Sequence, residues 1–319
     1  MRLIGAVAGL CVIAGVTVTV AQTPKPKRIN RAIELLEQGQ PIYYTGSHSG
    51  TAGTFEQGKL DAQTFADYIS YDMEAAPYDI AGLAAYMQGL VAGGPTRTGH
   101  RTPPVIVNVP IRGTDEASVR ANAWMFEQVL ATGVHGILLV HAQTPGAVRA
   151  LVEAVRYPNR EQGVGQAGLK EGTRGAHGAA MAAKVWGVSQ AEYMQKADPW
   201  PLNPNGELLL GVKLESPEGI ANCEAICAVP GLGFAEMGPG DLGLSLGYTT
   251  LQRDPYPPEM AEARASVFAA CRRNHIAFLE GCTPANIVAR LDEGVRVIAG
   301  HHAETARIGR AHQKRSMPM

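Results

Sequence analysis

Residues 208–247 read LLLGVKLESPEGIANCEAICAVPGLGFAEMGPGDLGLSLG and contain one complete repeat of a regular pattern. Two short apolar runs, 208–214 and 233–237, flank a helical pattern. A strand, a helix and a second strand in this order predict one βα unit of a parallel sheet. Each predicted strand leads into an acid: Glu215 follows the first directly, and Asp241 lies in the turn after the second.

The same alternation of short apolar runs and helical patterns continues outward in both directions and gives close to eight units. We therefore predict an α/β protein with a (β/α)8 TIM barrel, a fold that commonly forms one domain of about 250 residues. The predicted strands are 41–45, 68–72, 105–109, 136–140, 208–214, 233–237, 276–279 and 295–299. The predicted helices are 30–38, 80–91, 116–132, 145–156, 217–228, 258–274 and 284–293.

Two stretches are longer than an ordinary connection between barrel elements. They are residues 92–104 and a glycine-rich insertion near 163–205, in which 189–196 has a helical pattern. Long insertions in a compact barrel form lids or assembly surfaces, or surface excursions without a function.

The first residues have the pattern of a secretory signal. Met1 and Arg2 precede an apolar run, 3–20, which ends in small residues before a polar, basic segment. We predict a signal peptide at 1–21, a single barrel domain at 22–319, export to the periplasm or medium, and no stable membrane partner after cleavage. The alternative is an uncleaved anchor, because the apolar run is near the lower limit for crossing a bilayer.

The charge balance argues against a nucleic-acid partner. The net charge is −1 and the isoelectric point is near 6.8, so the chain has no basic field for phosphate backbones. Beyond the predicted leader the chain has four cysteines, and none forms a CxxC pair. An exported protein could pair them, but we expect buried free thiols at Cys223, Cys227, Cys271 and Cys282.

Polar residues stand at the ends of the predicted strands, where a βα barrel gathers side chains around one mouth. In chain order they are Ser47, His48, Asp72, Glu74, Arg112, His141, Lys213, Glu215, Glu236, Asp241, Glu280, Cys282, His301 and His302. Two carboxylates at adjacent strand ends, Glu215 and Asp241, can share one hard cation, with water in the remaining positions. This pattern predicts an Mg²⁺ or Mn²⁺ site, with Co²⁺ or Zn²⁺ as alternatives. Taken singly, either acid could instead be a helix cap or an ion-pair partner.

The block GVKLESPEGIANCEAICAVPGLGFAEMGPGDLGLSLG resembles the metal-binding core of the HpcH/HpaI class II aldolases, in which a strand ending in Glu and a GPxDL motif carry the metal ligands. RAIELLEQGQPIYYTG and YISYDMEAAPYD are similar to the opening and second-strand segments of that family. The resemblance implies a lyase that makes or breaks a carbon–carbon bond beside a 2-oxo acid. It also implies Glu215 and Asp241 as metal ligands, the amides of Gly240 and Asp241 as donors to the substrate carboxylate, and a homo-oligomer that exchanges a C-terminal helix near 303–310.

The departures from the family pattern fall on its acid/base residues. The family histidine of the second-strand motif is Ala75 here, and the aspartate that orients it, in an L-D-x-G motif, is Ala131. The arginine expected after the third strand aligns with Pro110, although Arg112 lies two residues further on. The glutamine two residues before the metal glutamate is Lys213, and the arginine before GVG is replaced by Gln162.

Other residues at the mouth are therefore candidates for proton transfer and catalysis. A histidine with a pKa near neutrality can carry a proton, and the candidates are His141, His48, His301 and His302. Glu74 and Arg112 are further catalytic candidates. Lys213 is predicted to bind substrate, although it could neutralise the carboxylates or form a Schiff base. Alternatively, the imidazoles join the carboxylates as ligands, which favours Zn²⁺, Mn²⁺ or Fe²⁺.

Three functions remain open. The first is a metal-dependent carbon–carbon lyase of the aldolase type, which acts on a small 2-oxo or hydroxy acid with altered acid/base residues. The second is a metal-dependent hydrolase or hydratase that uses metal-bound water. The third is a binding or assembly protein that has kept the barrel and lost catalysis, which the alanines at 75 and 131 would permit.

Overall fold

The computed structural model of the protein describes residues 28–46, 53–299 and 302–315. The predicted leader at 1–21 and two candidate histidines, His48 and His301, lie outside these residues and stay predictions. Across the described ranges, none of the helices combines the length and the apolar character needed to cross a bilayer.

A ring of eight parallel strands forms the centre of the molecule, as predicted. The ring closes where β4 pairs with β6, and a further two-residue strand, β5, pairs with the start of β6. The strands are β1 Ile42–Thr45, β2 Tyr68–Asp72, β3 Val105–Val109, β4 Gly136–Leu139, β5 Pro199–Trp200, β6 Leu208–Leu214, β7 Phe234–Met237, β8 Ala277–Gly281 and β9 Val297–Ala299. Each predicted strand corresponds to one strand of the ring. The strands could be predicted because apolar runs and their alternation with helical patterns involve only residues that are neighbours in the chain.

Helices connect the strands and cover the outside of the ring. They are α1 Arg31–Glu37, α2 Phe55–Asp61, α3 Ile80–Gly93, α4 Glu116–Ala121, α5 Ala123–Ala131, α6 Pro145–Val155, α7 Ala179–Trp186, α8 Gln190–Lys196, α9 Pro217–Ala221, α10 Cys223–Cys227, α11 Pro239–Ser245, α12 Pro258–Arg273, α13 Ile287–Glu293 and α14 Ala303–His312. Two predicted helices are each divided in two, at Asn122 and at Asn222. Sequence patterns did not predict α2, α7 or α11. Helix α11 begins at Pro239. The sequence Gly238-Pro239-Gly240 predicts a turn, but proline is also common at the first position of a helix.

The inside of the ring is apolar at the amino ends of the strands and polar at the carboxyl ends. The apolar side chains that fill it are Ile42, Tyr44, Tyr68, Ile106, Leu138, Leu209, Phe234, Leu279 and Val297. Helix α1 closes the amino end with Ala32, Ile33 and Leu35. Above this apolar layer, the polar residues Ser70, Asn108, Lys213 and Glu236 line a small internal cavity.

The insertion at 163–205 lies at the amino ends of the strands, because it connects the end of α6 to the start of β6. Its Trp186 Nε1 donates a hydrogen bond to the carbonyl of Gly133, at 2.9 Å. The other long stretch, 92–104, packs against it, since Arg101 Nε donates to the carbonyl of Val185 at 2.9 Å. Because this position is opposite the mouth, the insertion cannot cover the mouth of its own barrel, whereas an assembly role stays a prediction.

All four described cysteines are buried free thiols, as expected from the sequence. Cys223 and Cys227 belong to α10, and Cys271 belongs to α12, which packs against α10. Cys282 follows β8. These thiols therefore contribute to the packing between the ring and its helices.

Candidate metal centre

Four side chains of metal-ligand type converge at the mouth of the barrel. Glu74, His141, Glu215 and Asp241 each offer one ligand atom, and these atoms all lie within 4.8 Å of one another. The residues follow β2, β4, β6 and β7, so the closed ring brings them together from four strand ends. Ligands held about 2.0–2.6 Å from one ion are separated by at most about 5 Å, so the cluster has the dimensions of a divalent-cation site.

Glu215 is the most buried acid of this cluster, with a side chain that is 4% exposed. Its Oε2 accepts a hydrogen bond from the backbone N–H of His141 at 3.0 Å. Its Oε1 lies only 2.3 Å from the position that a Cβ at residue 238 would occupy. Gly238 therefore leaves the space that the Glu215 carboxylate fills.

Asp241 is presented by the first turn of α11. The hydroxyl of Ser245, on the same helix, donates to the backbone carbonyl of Glu215 at 3.1 Å and so ties α11 to the end of β6. The N–H groups in the first turn of a helix have no acceptor within the helix. The amides of Gly240 and Asp241 thus have the donor character that their predicted contact with a substrate carboxylate requires.

His141 bridges two of the carboxylates. Its Nε2 lies 3.2 Å from Glu74 Oε1, and its Nδ1 lies 3.6 Å from Glu215 Oε2. The hydrogen bond with Glu74 raises the pKa of the imidazole, although burial opposes this shift. The backbone of His141 is left-handed, with φ of 50°, which is uncommon for a residue other than glycine. Strained backbone of this kind clusters at functional sites.

Lys213 holds the other oxygen of Glu74. Its Nζ lies 2.9 Å from Glu74 Oε2, and the lysine side chain is 4% exposed. Burial alone would raise the pKa of Glu74, but the hydrogen bond with His141 and the charge of Lys213 outweigh it and lower that pKa to about 2. Burial would lower the pKa of Lys213, but Glu236, Glu215 and Glu74 outweigh it and raise that pKa. A Schiff base needs a neutral amine, so this environment disfavours imine chemistry and favours the neutralising role.

Glu236 lies beneath the cluster, opposite Lys213 in the register of β6 and β7. Burial raises the pKa of this carboxyl to about 7. Four acidic groups, Glu74, Glu215, Asp241 and Glu236, thus outnumber the two basic side chains that contact or face them, Lys213 and His141. The mouth therefore has an excess of acidic groups that a metal ion would neutralise.

The remaining predicted residues occupy separate places. Arg112 is exposed in the loop after β3, close enough to His141 to lower the pKa of its imidazole. His302 is exposed at the start of α14. Ala75 is exposed after β2 at the mouth, whereas Ala131 ends α5 and precedes β4. Within one chain, the two alanines thus lie at opposite ends of the barrel. The two positions that form the family's acid/base pair therefore do not contact each other within this chain.

The sequence pattern placed each member of the cluster at a strand end but did not predict the pairing of Glu74 with His141. The two residues are far apart in the chain and belong to strands separated by β3 in the ring. Their contact depends on how the loop after β4 folds, and that loop contains the left-handed residue His141.

Comparison with known proteins gives a family and several relatives. The model of the family described as HpcH/HpaI aldolase/citrate lyase matches residues 107–298. A hydroxypyruvate/pyruvate aldolase of Pseudomonas aeruginosa is 30% identical over 205 residues, which are 64% of this chain and 62% of that protein. The chain therefore spans less than two thirds of the length of this relative.

Two solved structures share the fold. An HpcH/HpaI aldolase/citrate lyase family protein from Burkholderia cenocepacia J2315 superposes with a TM-score of 0.65 at 23% identity, and the match covers 89% of this chain and 96% of that one. The citrate lyase beta subunit of M. tuberculosis, complexed with oxaloacetate and magnesium, gives a TM-score of 0.53 at 14% identity, covering 86% and 97%.

Proposed function

Because this chain belongs to the HpcH/HpaI aldolase/citrate lyase family, we propose that it is a metal-dependent carbon–carbon lyase that acts on a small 2-oxo or hydroxy acid. The observation that carries the proposal is the convergence of Glu215 and Asp241 with Glu74 and His141 at the mouth. The hydroxypyruvate/pyruvate aldolase of P. aeruginosa supports an acid of the pyruvate type as substrate.

Glu215 and Asp241 would hold the metal ion, since carboxylate oxygens are the ligands that Mg²⁺ and Mn²⁺ prefer. A divalent ion held there would supply Lewis-acid stabilisation for the negative charge that develops on the keto oxygen of a 2-oxo acid. The first-turn amides of Gly240 and Asp241 would donate to the carboxylate of the substrate. Arg112, exposed beside His141, supports an anionic substrate because it adds positive charge to the mouth.

The missing family dyad limits which reactions the site can carry out efficiently. Ala75 and Ala131 supply neither a base nor a group to orient one. Decarboxylation of oxaloacetate needs little help of this kind. The bond to CO₂ breaks, its electron pair moves toward the keto oxygen, and the enolate that remains takes a proton from water at carbon to give pyruvate. This reaction is therefore the activity that we expect the site to retain most fully.

The test is oxaloacetate decarboxylation by the purified protein, stripped of metal with a chelator and resupplied separately with Mg²⁺, Mn²⁺, Co²⁺ or Zn²⁺. We expect at least one ion to restore the rate. Glu215→Gln should lower the restored rate by at least about 100-fold, which corresponds to the loss of a few kcal/mol of charge stabilisation.

Glu218→Gln is the matched control, because Glu218 is exposed on α9 three residues away, and this variant should keep the rate. A full rate in Glu215→Gln would show that the site is assigned to the wrong residues. Failure of every ion to restore a rate would instead support the loss of catalysis in this chain.

A further inference from the structure

We propose that His141 is a third protein ligand of the metal, binding through Nδ1, and that Glu74 is the carboxylate that orients its imidazole. This inference rests on the proposed function, since it assumes a metal at Glu215 and Asp241. It changes the nature of the site from one with carboxylate ligands alone to one that includes a nitrogen ligand.

The two ring nitrogens of His141 have different environments. Nε2 lies 3.2 Å from Glu74 Oε1, which is within hydrogen-bonding range. Nδ1 lies 3.6 Å from Glu215 Oε2, which is too long for a hydrogen bond. Two ligands with bonds of about 2.1 Å in a tetrahedral arrangement are separated by about 3.4 Å. Nδ1 and the Glu215 carboxylate are thus spaced as two ligands of the same ion.

Glu74 provides the support that such a ligand needs. A metal-binding histidine almost always donates its second ring N–H to a carboxylate, carbonyl or water, which selects the tautomer and fixes the ring. One oxygen of Glu74 lies 3.2 Å from Nε2, in position to accept its proton, while the other oxygen is held by Lys213 Nζ at 2.9 Å. With the proton on Nε2, the lone pair of Nδ1 is available on the side of Glu215.

The backbone of His141 brings the imidazole into this position. Its left-handed conformation, with φ of 50°, allows its N–H to donate to Glu215 Oε2 at 3.0 Å while its ring reaches the same carboxylate. One residue therefore contacts Glu215 through both its backbone and its side chain. The left-handed backbone is uncommon for a residue other than glycine, and His141 adopts it while contacting the carboxylates of Glu74 and Glu215.

A nitrogen ligand changes which ion the site prefers. Imidazole suits zinc and the transition metals, whereas Mg²⁺ favours oxygen ligands and keeps several waters. A centre built from His141, Glu215 and Asp241 should therefore bind Co²⁺ and Zn²⁺ much more tightly than Mg²⁺.

His141→Asn separates this proposal from a structural role of the residue. Asparagine is among the residues that best tolerate the left-handed region, and its side chain offers an oxygen in place of the nitrogen. The variant should lose at least about tenfold more affinity for Co²⁺ than for Mg²⁺, and the visible spectrum of bound Co²⁺ should change. Glu74→Gln should weaken Co²⁺ binding by about 10–100-fold, as expected for loss of an orienting carboxylate.

The measurements are calorimetric titrations of the full chain with Co²⁺ alone and with Mg²⁺ alone, together with Co²⁺ absorption spectra. His177→Asn is the matched control, because His177 is exposed in the insertion at the opposite end of the barrel, and it should change neither affinity. An unchanged ratio of Co²⁺ to Mg²⁺ affinity in His141→Asn would overturn the inference. If Glu215→Gln bound both ions like the unmodified protein, the metal site itself, and with it the proposed function, would fall.

Discussion

Gly238 shows how one missing side chain shapes the metal centre. A methyl group at this position would lie 2.3 Å from Glu215 Oε1 and 2.5 Å from its Cγ, closer than any non-bonded contact allows. The carboxylate is also held by the N–H of His141, so it cannot move aside without losing that hydrogen bond. Glycine is thus required by the position of the metal ligand.

Gly238→Ala should therefore displace Glu215 and weaken metal binding. We expect a loss of about 10–100-fold in Co²⁺ affinity, the range seen when contacts that orient a ligand are lost. Gly243→Ala, in the same helix, is the control, because its methyl group would meet no heavy atom closer than 3.8 Å. Titration of both variants with Co²⁺ checks the prediction, and equal affinities would contradict it.

Lys213 explains why so many acids can lie together at the mouth. It contacts Glu74 directly and faces Glu236 across the strand pair β6 and β7. An uncompensated buried charge costs several kcal/mol, so the ammonium group stabilises the carboxylates when no metal is bound. The replacement of the family glutamine by lysine is consistent with this role.

Among the helices, the insertion at 163–205 packs against the last residues of α5. Tyr193 donates from its hydroxyl to the carbonyl of Leu130 at 3.3 Å, and Gly178 packs directly against Ala131. A Cβ at residue 178 would lie 2.5 Å from the Cβ of Ala131. The contact between Ala131 and Gly178 thus leaves no room for a methyl group at residue 178.

Gly178→Ala tests this packing. The variant should lose about 1–3 kcal/mol of unfolding free energy, the usual cost of adding a methyl group to a filled contact. Adding Ala131→Gly should recover part of that loss, because it removes the methyl group that clashes. Denaturant unfolding of the single and double variants gives both values.

Gly175→Ala serves as the reference for this pair, since its methyl group would meet only Glu127 Oε2, at 3.5 Å. It should change the free energy of unfolding by less than about 0.5 kcal/mol. If Gly178→Ala were equally neutral, the tight contact between α5 and α7 would be ruled out.

A buried cluster of ion pairs connects the first and last described helices of the molecule. Asp67, fully buried before β2, lies 3.1 Å from Arg31 of α1, 2.8 Å from Arg310 of α14 and 2.6 Å from Arg315. Burial alone would raise the pKa of Asp67, but the arginines, Arg315 foremost, outweigh it and lower that pKa. The first and last described helices are thereby connected through one carboxylate.

Asp67→Asn should cost about 3–5 kcal/mol of unfolding free energy at neutral pH, because it leaves buried arginines without their counter-charge. The folded pKa of Asp67 is lowered, so its contribution is complete above the unfolded pKa and is lost as the pH falls through the folded value. The difference between the two proteins should therefore shrink below about pH 4. Denaturant unfolding from pH 7 down to pH 3 checks both the size and the direction of the effect.

Asp292→Asn is the control, because Asp292 is 62% exposed in its pair with His312. Exposed pairs contribute about 0–1 kcal/mol, so this variant should remain close to the unmodified protein. A difference for Asp67→Asn that grew as the pH fell would contradict the assigned direction of its pKa shift.

The barrel, its eight strands and the position of four cluster residues at its mouth, Glu74, His141, Glu215 and Asp241, could all be predicted from the sequence. These features follow from the order of neighbouring residues: apolar runs become strands, helical patterns cover them, and Glu215 and Asp241 follow strands that are adjacent in the ring. Short helices such as α2 and α7 were not predicted, since the packing of tertiary neighbours rather than a long periodic pattern stabilises them.

The contacts between residues of the centre could not be predicted from the sequence. The pairing of Glu74 with His141 depends on closure of the ring and on a left-handed residue after β4, neither of which has a local sequence pattern. The same holds for Ala131, whose place far from Ala75 is set by the direction of α5 relative to the strands. The periodicity of a sequence predicts which face of its own helix or strand a side chain lies on. A site built from four strand ends depends instead on how elements that are distant in the chain pack together.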